Sequence, residues 1–317
     1  MGAAAEEPQA VSAGGREQRS EEDRYKASAP EVMDTKAQGM MSKVNVKKKD
    51  KKDGDGQWNT NLLSTRLAVD AMSAATAGGL VAPLITIIDK SIIENASGKR
   101  PMMTSIKASL STLLTRPHHF LVSRPFRLIF MLYAGTYLTA NTLDTFKSTT
   151  NNKTASTTTS GLSKFAATST ANLSLCLYKD SQFTKMFGTV SPRPIPPVSY
   201  ALFAARDCLT IFASFNLPAL VAPTLPLGEA VERHISRASA AQFLTPAGIQ
   251  LISTPLHLLG LDFYNRNGGT TLKERFSKVR VDWLKSSLAR MCRIVPAFGV
   301  GGVVNNGMRK RFMGKLE

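Results

Sequence analysis

The sequence predicts an all-α membrane protein of six transmembrane helices, arranged as three pseudo-symmetric two-helix repeats. Three observations predict it. After Trp58 the chain carries six apolar segments of about the length that a bilayer-crossing helix needs. The loops between them alternate between Lys/Arg-rich and Lys/Arg-poor. Two sequence patterns then recur in alternate segments.

Residues 1–58 form a charged N-terminal tail that holds 11 Lys/Arg and 11 Asp/Glu and ends in "KVNVKKKDKKDGDGQ". So few large apolar residues cannot offset the entropy of ordering the chain, so the tail is expected to be disordered. It lacks the apolar core of a secretory signal, and Glu6, Glu7, Glu17, Glu21, Glu22 and Asp23 spoil an acid-poor targeting presequence. The remaining 29 Lys/Arg face 12 Asp/Glu, so the whole net charge of +17 belongs to the apolar part.

The six segments run over about 62–93, 122–147, 161–187, 197–223, 236–264 and 288–312. All are rich in Ala, Gly, Ser and Thr, which let membrane helices approach closely. Their isolated charges are costly in lipid and are expected to face a wet interior. A mean hydropathy of −0.08 is low for a membrane protein and keeps a soluble helical bundle open as a rival. The loops weigh against that rival. The first, third and fifth carry Lys99, Arg100, Lys107 and Arg116, then Lys185 and Arg193, then Arg266, Lys273, Arg275, Lys278, Arg280 and Lys285. The second contains instead the polar run "STTNNKTASTTTS". This asymmetry puts both termini on the less basic side.

Segments one, three and five share a pattern: "APLITIIDK" from Ala82, "ANLSLCLYK" from Ala171 and "TPLHLLGLD" from Thr254. Segments two, four and six share another that opens on arginine: "RLIFMLYAGTYLTAN" from Arg127, "RDCLTIFASFNLPAL" from Arg206 and "RIVPAFGVGGVVNNG" from Arg293. The repeats divide the chain at 59–150, 151–228 and 229–317. Soluble enzyme chemistry finds no support. There is no H-E-x-x-H, no GxxxxGK loop and no metal-ligand spacing among Cys176, Cys208 and Cys292. No enzyme, cofactor or metal is therefore expected. Nor is nucleic acid, since the basic residues are spread along apolar segments without a reading module.

Three tandem pairs of spans, with a proline-containing odd helix and an Arg-led even helix, resemble the mitochondrial carrier family. The third repeat carries the resemblance best, through "STPLHLLGLDFYNR" and "VDWLKSSLARMCRIVPAFGVGGVV". "TLKERFSKV" takes the place of the family's short matrix helix, as does "MTSIKASLSTLL" in the first repeat. The resemblance implies the mitochondrial carrier fold, a monomer in the mitochondrial inner membrane, basic loops that bind cardiolipin, and exchange of a small anionic metabolite, such as a di- or tricarboxylate. It implies that Arg127, Arg206 and Arg293 meet in one substrate cavity. His257, in the place of the family's acid, joins them as a substrate-site residue or else bonds a carbonyl freed by the Pro255 kink.

The odd-helix signature P-x-[DE]-x-x-[KR] is degenerate here. Pro83 and Pro255 remain as kinks and Asn172 replaces the third proline, but the acid and basic positions are lost. Lys90, Lys179 and Asp262, slightly further along, are the expected substitute gate. That loss sustains a second reading, a carrier-like membrane adaptor without transport, for example in the outer membrane.

Overall fold

The computed structural model describes residues 58–228, 232, 235–266, 268 and 270–317. The charged tail expected over 1–58 lies outside them, Trp58 apart. Among the described residues every regular element is helical.

The first apolar segment forms α1 (Leu63–Ser97), which ends where Gly98 takes φ 81°. That left-handed turn suits glycine, and it lets Gly98 and Lys99 return their N–H groups to Asn95 and Glu94. A basic loop follows as α2 (Met102–Thr115) and the short α3 (Pro117–Val122), so the helix expected in "MTSIKASLSTLL" is present. Next, α4 (Arg124–Thr150) opens on a Ser123 cap with Pro125 in its first turn. The second repeat gives α5 (Leu162–Phe187) and α6 (Pro197–Phe215), then the short α7 (Leu217–Val221).

The third repeat departs further from expectation. Its odd segment is two helices, α8 (Arg237–Gly248) and α9 (Gln250–Asn265), which meet at Ile249. That junction follows Pro246; neither Pro83 nor Pro255 ends its helix. Pro255 has no N–H for the carbonyl of Leu251, and the Trp283 indole donates to that oxygen instead, at 2.7 Å. "TLKERFSKV" is not a separate helix. It is the start of α10 (Leu272–Cys292), fixed by a reciprocal capping box between Thr271 and Glu274. A π-helical turn over Val295–Gly301 then joins α10 to α11 (Gly302–Met313).

Helices adjacent in sequence are neighbours in space. The longest, α1, packs on α4, α4 on α5, α5 on α6, α6 on α9 and α9 on α10; the π turn and α11 return to α1. The apolar core gathers residues such as Ile85, Ile129, Phe183, Phe203 and Leu261 from five of these helices. Close approach is visible at Gly78, where an added Cβ would meet the Ala134 backbone at 2.9 Å. It recurs at Gly301, packed on Tyr137 and Val81; Gly299 and Gly302, grouped with it by sequence, have room.

Among the described residues three helical stretches are long and apolar enough to cross a bilayer: Leu63–Ser97, Pro197–Phe215 and Leu272–Met313. The sequence reading expected six. The second and third segments fall short because polar residues break their apolar runs, Asn141, Asp144, Thr145, Lys179 and Asp180 all being buried inside the bundle; the fifth is cut at Ile249 into helices of 12 and 16 residues, each too short. Large apolar side chains such as Leu80, Leu84, Phe212, Phe215 and Leu288 lie exposed on the outside of the three longer stretches.

Candidate functional site

Four of these helices bring charges inward at one level. Helix α1 supplies Asp89, α5 supplies Lys179 and Asp180, α6 supplies Arg206 and Asp207, and the end of α10 supplies Arg293. The side chains form one continuous chain of ion pairs. Arg293 Nη1 lies 2.6 Å from Asp89 Oδ1, and Lys179 Nζ 2.8 Å from Asp89 Oδ2. Lys179 also touches Asp180 Oδ1 at 2.6 Å; Arg206 Nη2 pairs with Asp180 Oδ2, and with Asp207 Oδ2 at 2.9 Å. Three carboxylates thus meet three cations, and all but Arg293 are buried. Isolated buried charge is severely penalised, and such alternation is what makes the cluster tolerable.

Beside this chain lies Arg290, 2% exposed. Its Nε donates to Gln250 Oε1 at 2.9 Å, and no carboxylate among the described residues pairs with it. The ring of His257 packs 5.2 Å from that of Phe203, and its Nδ1 has no hydrogen-bond partner. It does not bond the carbonyl that Pro255 frees, which Trp283 occupies.

A second polar layer lies toward the start of α1. Arg309 Nε donates to Asp70 Oδ1 at 2.8 Å and Thr145 Oγ1 donates to Asp70 Oδ2 at 2.5 Å. Arg66 Nη2 donates to Ser148 Oγ at 2.5 Å. Asn141 and Asn305 exchange two amide hydrogen bonds of 2.9 Å. Nineteen residues of α1 separate Asp70 from Asp89, which at about 1.5 Å each is about 28 Å. That approximates the ~30 Å hydrocarbon thickness of a bilayer.

The sequence-derived site residues divide between places. Arg206 and Arg293 share the ion chain, but Arg127 is exposed and pairs with nothing among the described residues, so the three arginines do not converge. Nor do Lys90, Lys179 and Asp262 form a gate. Lys90 lies over the Phe187 ring at 5.8 Å, and Asp262 pairs with Arg275 at 2.7 Å and Arg266 at 2.9 Å. Only Lys179 enters the ion chain. Asn172 bonds Thr136 across α4 and α5 at 3.2 Å.

The residues that sequence reasoning missed are Asp89, Asp180 and Arg290, and the Asp70–Arg309 pair. Asp89 shares a stripe with Ile85, Ile88 and Ile92, and Asp180 one with Phe183, Thr184 and Phe187, all buried. An acid on the apolar stripe of a helix is the signal that would have found both.

Residues 73–313 match the model of a family described as a probable citrulline exporter. No curated protein and no solved structure matches the chain. The match overturns the resemblance to the mitochondrial carriers, and the mitochondrial address inferred from that resemblance loses its ground. The carrier signature was already degenerate, and its gate residues do not meet in space. What stands is helices able to cross a membrane and a family of exporters. A match over most of its length makes the chain a member of the probable citrulline exporter family.

Proposed function

We propose that the protein moves a small zwitterionic amino acid of citrulline's kind across a membrane, using the ion chain from Arg293 to Asp207 as its binding region. All six segments then cross the bilayer, and the two polar layers mark the ends of the path. The observation that carries the reading is the balance of that chain, three carboxylates against three cations, set between α5 and three stretches able to span a membrane. A zwitterion exchanges with such a chain one charge for one: its ammonium takes a carboxylate and its carboxylate takes a guanidinium. A multiply charged anion would leave Asp89, Asp180 and Asp207 without partners, at a large desolvation cost. The family's description points to the same class of solute.

The test is efflux from liposomes holding the purified full-length chain, with labelled L-citrulline, L-arginine, L-glutamate and succinate inside. The expected result is saturable loss of citrulline, with succinate retained. Loss of succinate alone, or of no solute from folded protein, would refute the reading.

A further inference from the structure

Resting on that reading, we propose that Arg290, with Thr254, Ser286 and His257, forms a subsite for the solute's carboxylate. Among the described residues, four buried polar atoms without partners fall on one helix pair: Arg290 Nη2 and Ser286 Oγ on α10, Thr254 Oγ1 and His257 Nδ1 on α9. The two helices are fastened here, since Ser287 Oγ donates to Gln250 O at 3.3 Å and Arg290 Nε donates to Gln250 Oε1. On α9, Gln250, Thr254 and His257 share one face at intervals of four and three residues; on α10, Ser286 and Arg290 are one turn apart.

The idle hydroxyls are telling. Thr86, Ser91, Thr136, Thr210 and Thr245 each return a bond to the carbonyl four residues back. Thr254 and Ser286 are fully buried, yet make no bond among the described residues; Ser73, Ser109, Thr149, Thr168 and Thr184 are idle too, but Ser286 stands one turn from Arg290 on its own helix and Thr254 one turn from the Gln250 that Arg290 holds. Buried polar groups in native proteins are nearly always paired, so a cluster that is not marks a place for something absent.

Charge gives the class of ligand. The ion chain is balanced without Arg290, which leaves Arg290 as the surplus cation beside it. Asp89 and Asp207 are within its electrostatic reach but accept no bond from it. A guanidinium with one edge free, with hydroxyl donors one turn away on its own helix and on the helix it is fastened to, fits a carboxylate. The same site favours an α-amino acid over its amide, because an uncharged amide leaves Arg290 unpaired.

The test is isothermal titration of the solubilised full-length protein with L-citrulline and with citrullinamide, for the wild type, Arg290→Gln and Thr254→Val. The wild type is expected to prefer citrulline by about tenfold or more, the scale of a lost charged hydrogen bond. Arg290→Gln should lower citrulline to the level of the amide and leave the amide unchanged; Thr254→Val should weaken citrulline about threefold. Unliganded Arg290→Gln should melt no lower than the wild type, because it removes an unpaired buried charge. Equal binding of the two probes by the wild type, no binding of either, or a preference that survives Arg290→Gln, would overturn the subsite. Efflux separates this from the reading beneath it. Citrulline export without carboxylate preference would sink only the subsite, whereas carboxylate-selective binding without export would sink only the transport reading.

Discussion

A single carboxylate, Asp89, holds two cations from two other helices, Lys179 and Arg293. Removing it leaves Arg293 without a carboxylate and Lys179 with Asp180 alone, which is far costlier than losing a surface pair. Asp89→Asn is therefore expected to destabilise the protein by about 3 kcal/mol, read as a lower thermal midpoint in detergent. It should also cut citrulline efflux at least about tenfold, from the loss of one charged contact. Adding Arg293→Met removes the orphaned charge and should recover part of the stability, a coupling that a double-mutant cycle measures. Arg127 gives the contrast. Because it is exposed and unpaired, Arg127→Ala should change stability by no more than about 0.5 kcal/mol and leave efflux intact. A large loss of efflux in that variant would restore the three-arginine cavity that the geometry removes.

At the scale of helices, approach distances decide the outcome. Gly78 and Gly79 are neighbours on α1, but only Gly78 lies tight against α4; at Gly79 the nearest atom to an added Cβ is a ring carbon of Phe130 on α4, 4.0 Å away. Gly78→Ala should cost about 1–3 kcal/mol by pushing the two helices apart, while Gly79→Ala should be neutral or slightly stabilising; thermal unfolding compares them. The Trp283 indole offers a second check. Trp283→Phe leaves the Leu251 carbonyl without its donor and should cost about 1 kcal/mol. In that background Pro255→Ala returns an N–H to the same oxygen and should recover much of the loss. The helices themselves were legible from the lengths of the apolar runs, and each of the six regions forms helix. The division into two-helix repeats misled at α10. Charges such as Lys273, Arg275 and Lys278 made its first turns look like a separate surface helix, but only a cap stands at Thr271 and the helix continues.

The described residues form a set of helices with two buried polar layers, about 28 Å apart along α1. Part of the inner site was visible in sequence, because Lys179, Arg206 and Arg293 stand out in apolar runs. Their partners were not, for a geometrical reason. Adjacent residues on a helix point about 100° apart, so Asp89 faces the interior while Lys90 turns to Phe187, and a motif read one position along selects the wrong charge. Counting arginines gave an anion site; counting the acids that face them gives a balanced ion chain with Arg290 in surplus beside it, which suits a zwitterion whose carboxylate takes Arg290. Counterflow tests that conclusion most directly. Liposomes carrying the full-length protein are loaded with unlabelled citrulline or unlabelled succinate and diluted into trace labelled citrulline. Transient accumulation of label in the citrulline-loaded vesicles, and none in the succinate-loaded ones, is the expected result. Accumulation driven by succinate, or none in either set from folded protein, would contradict the account.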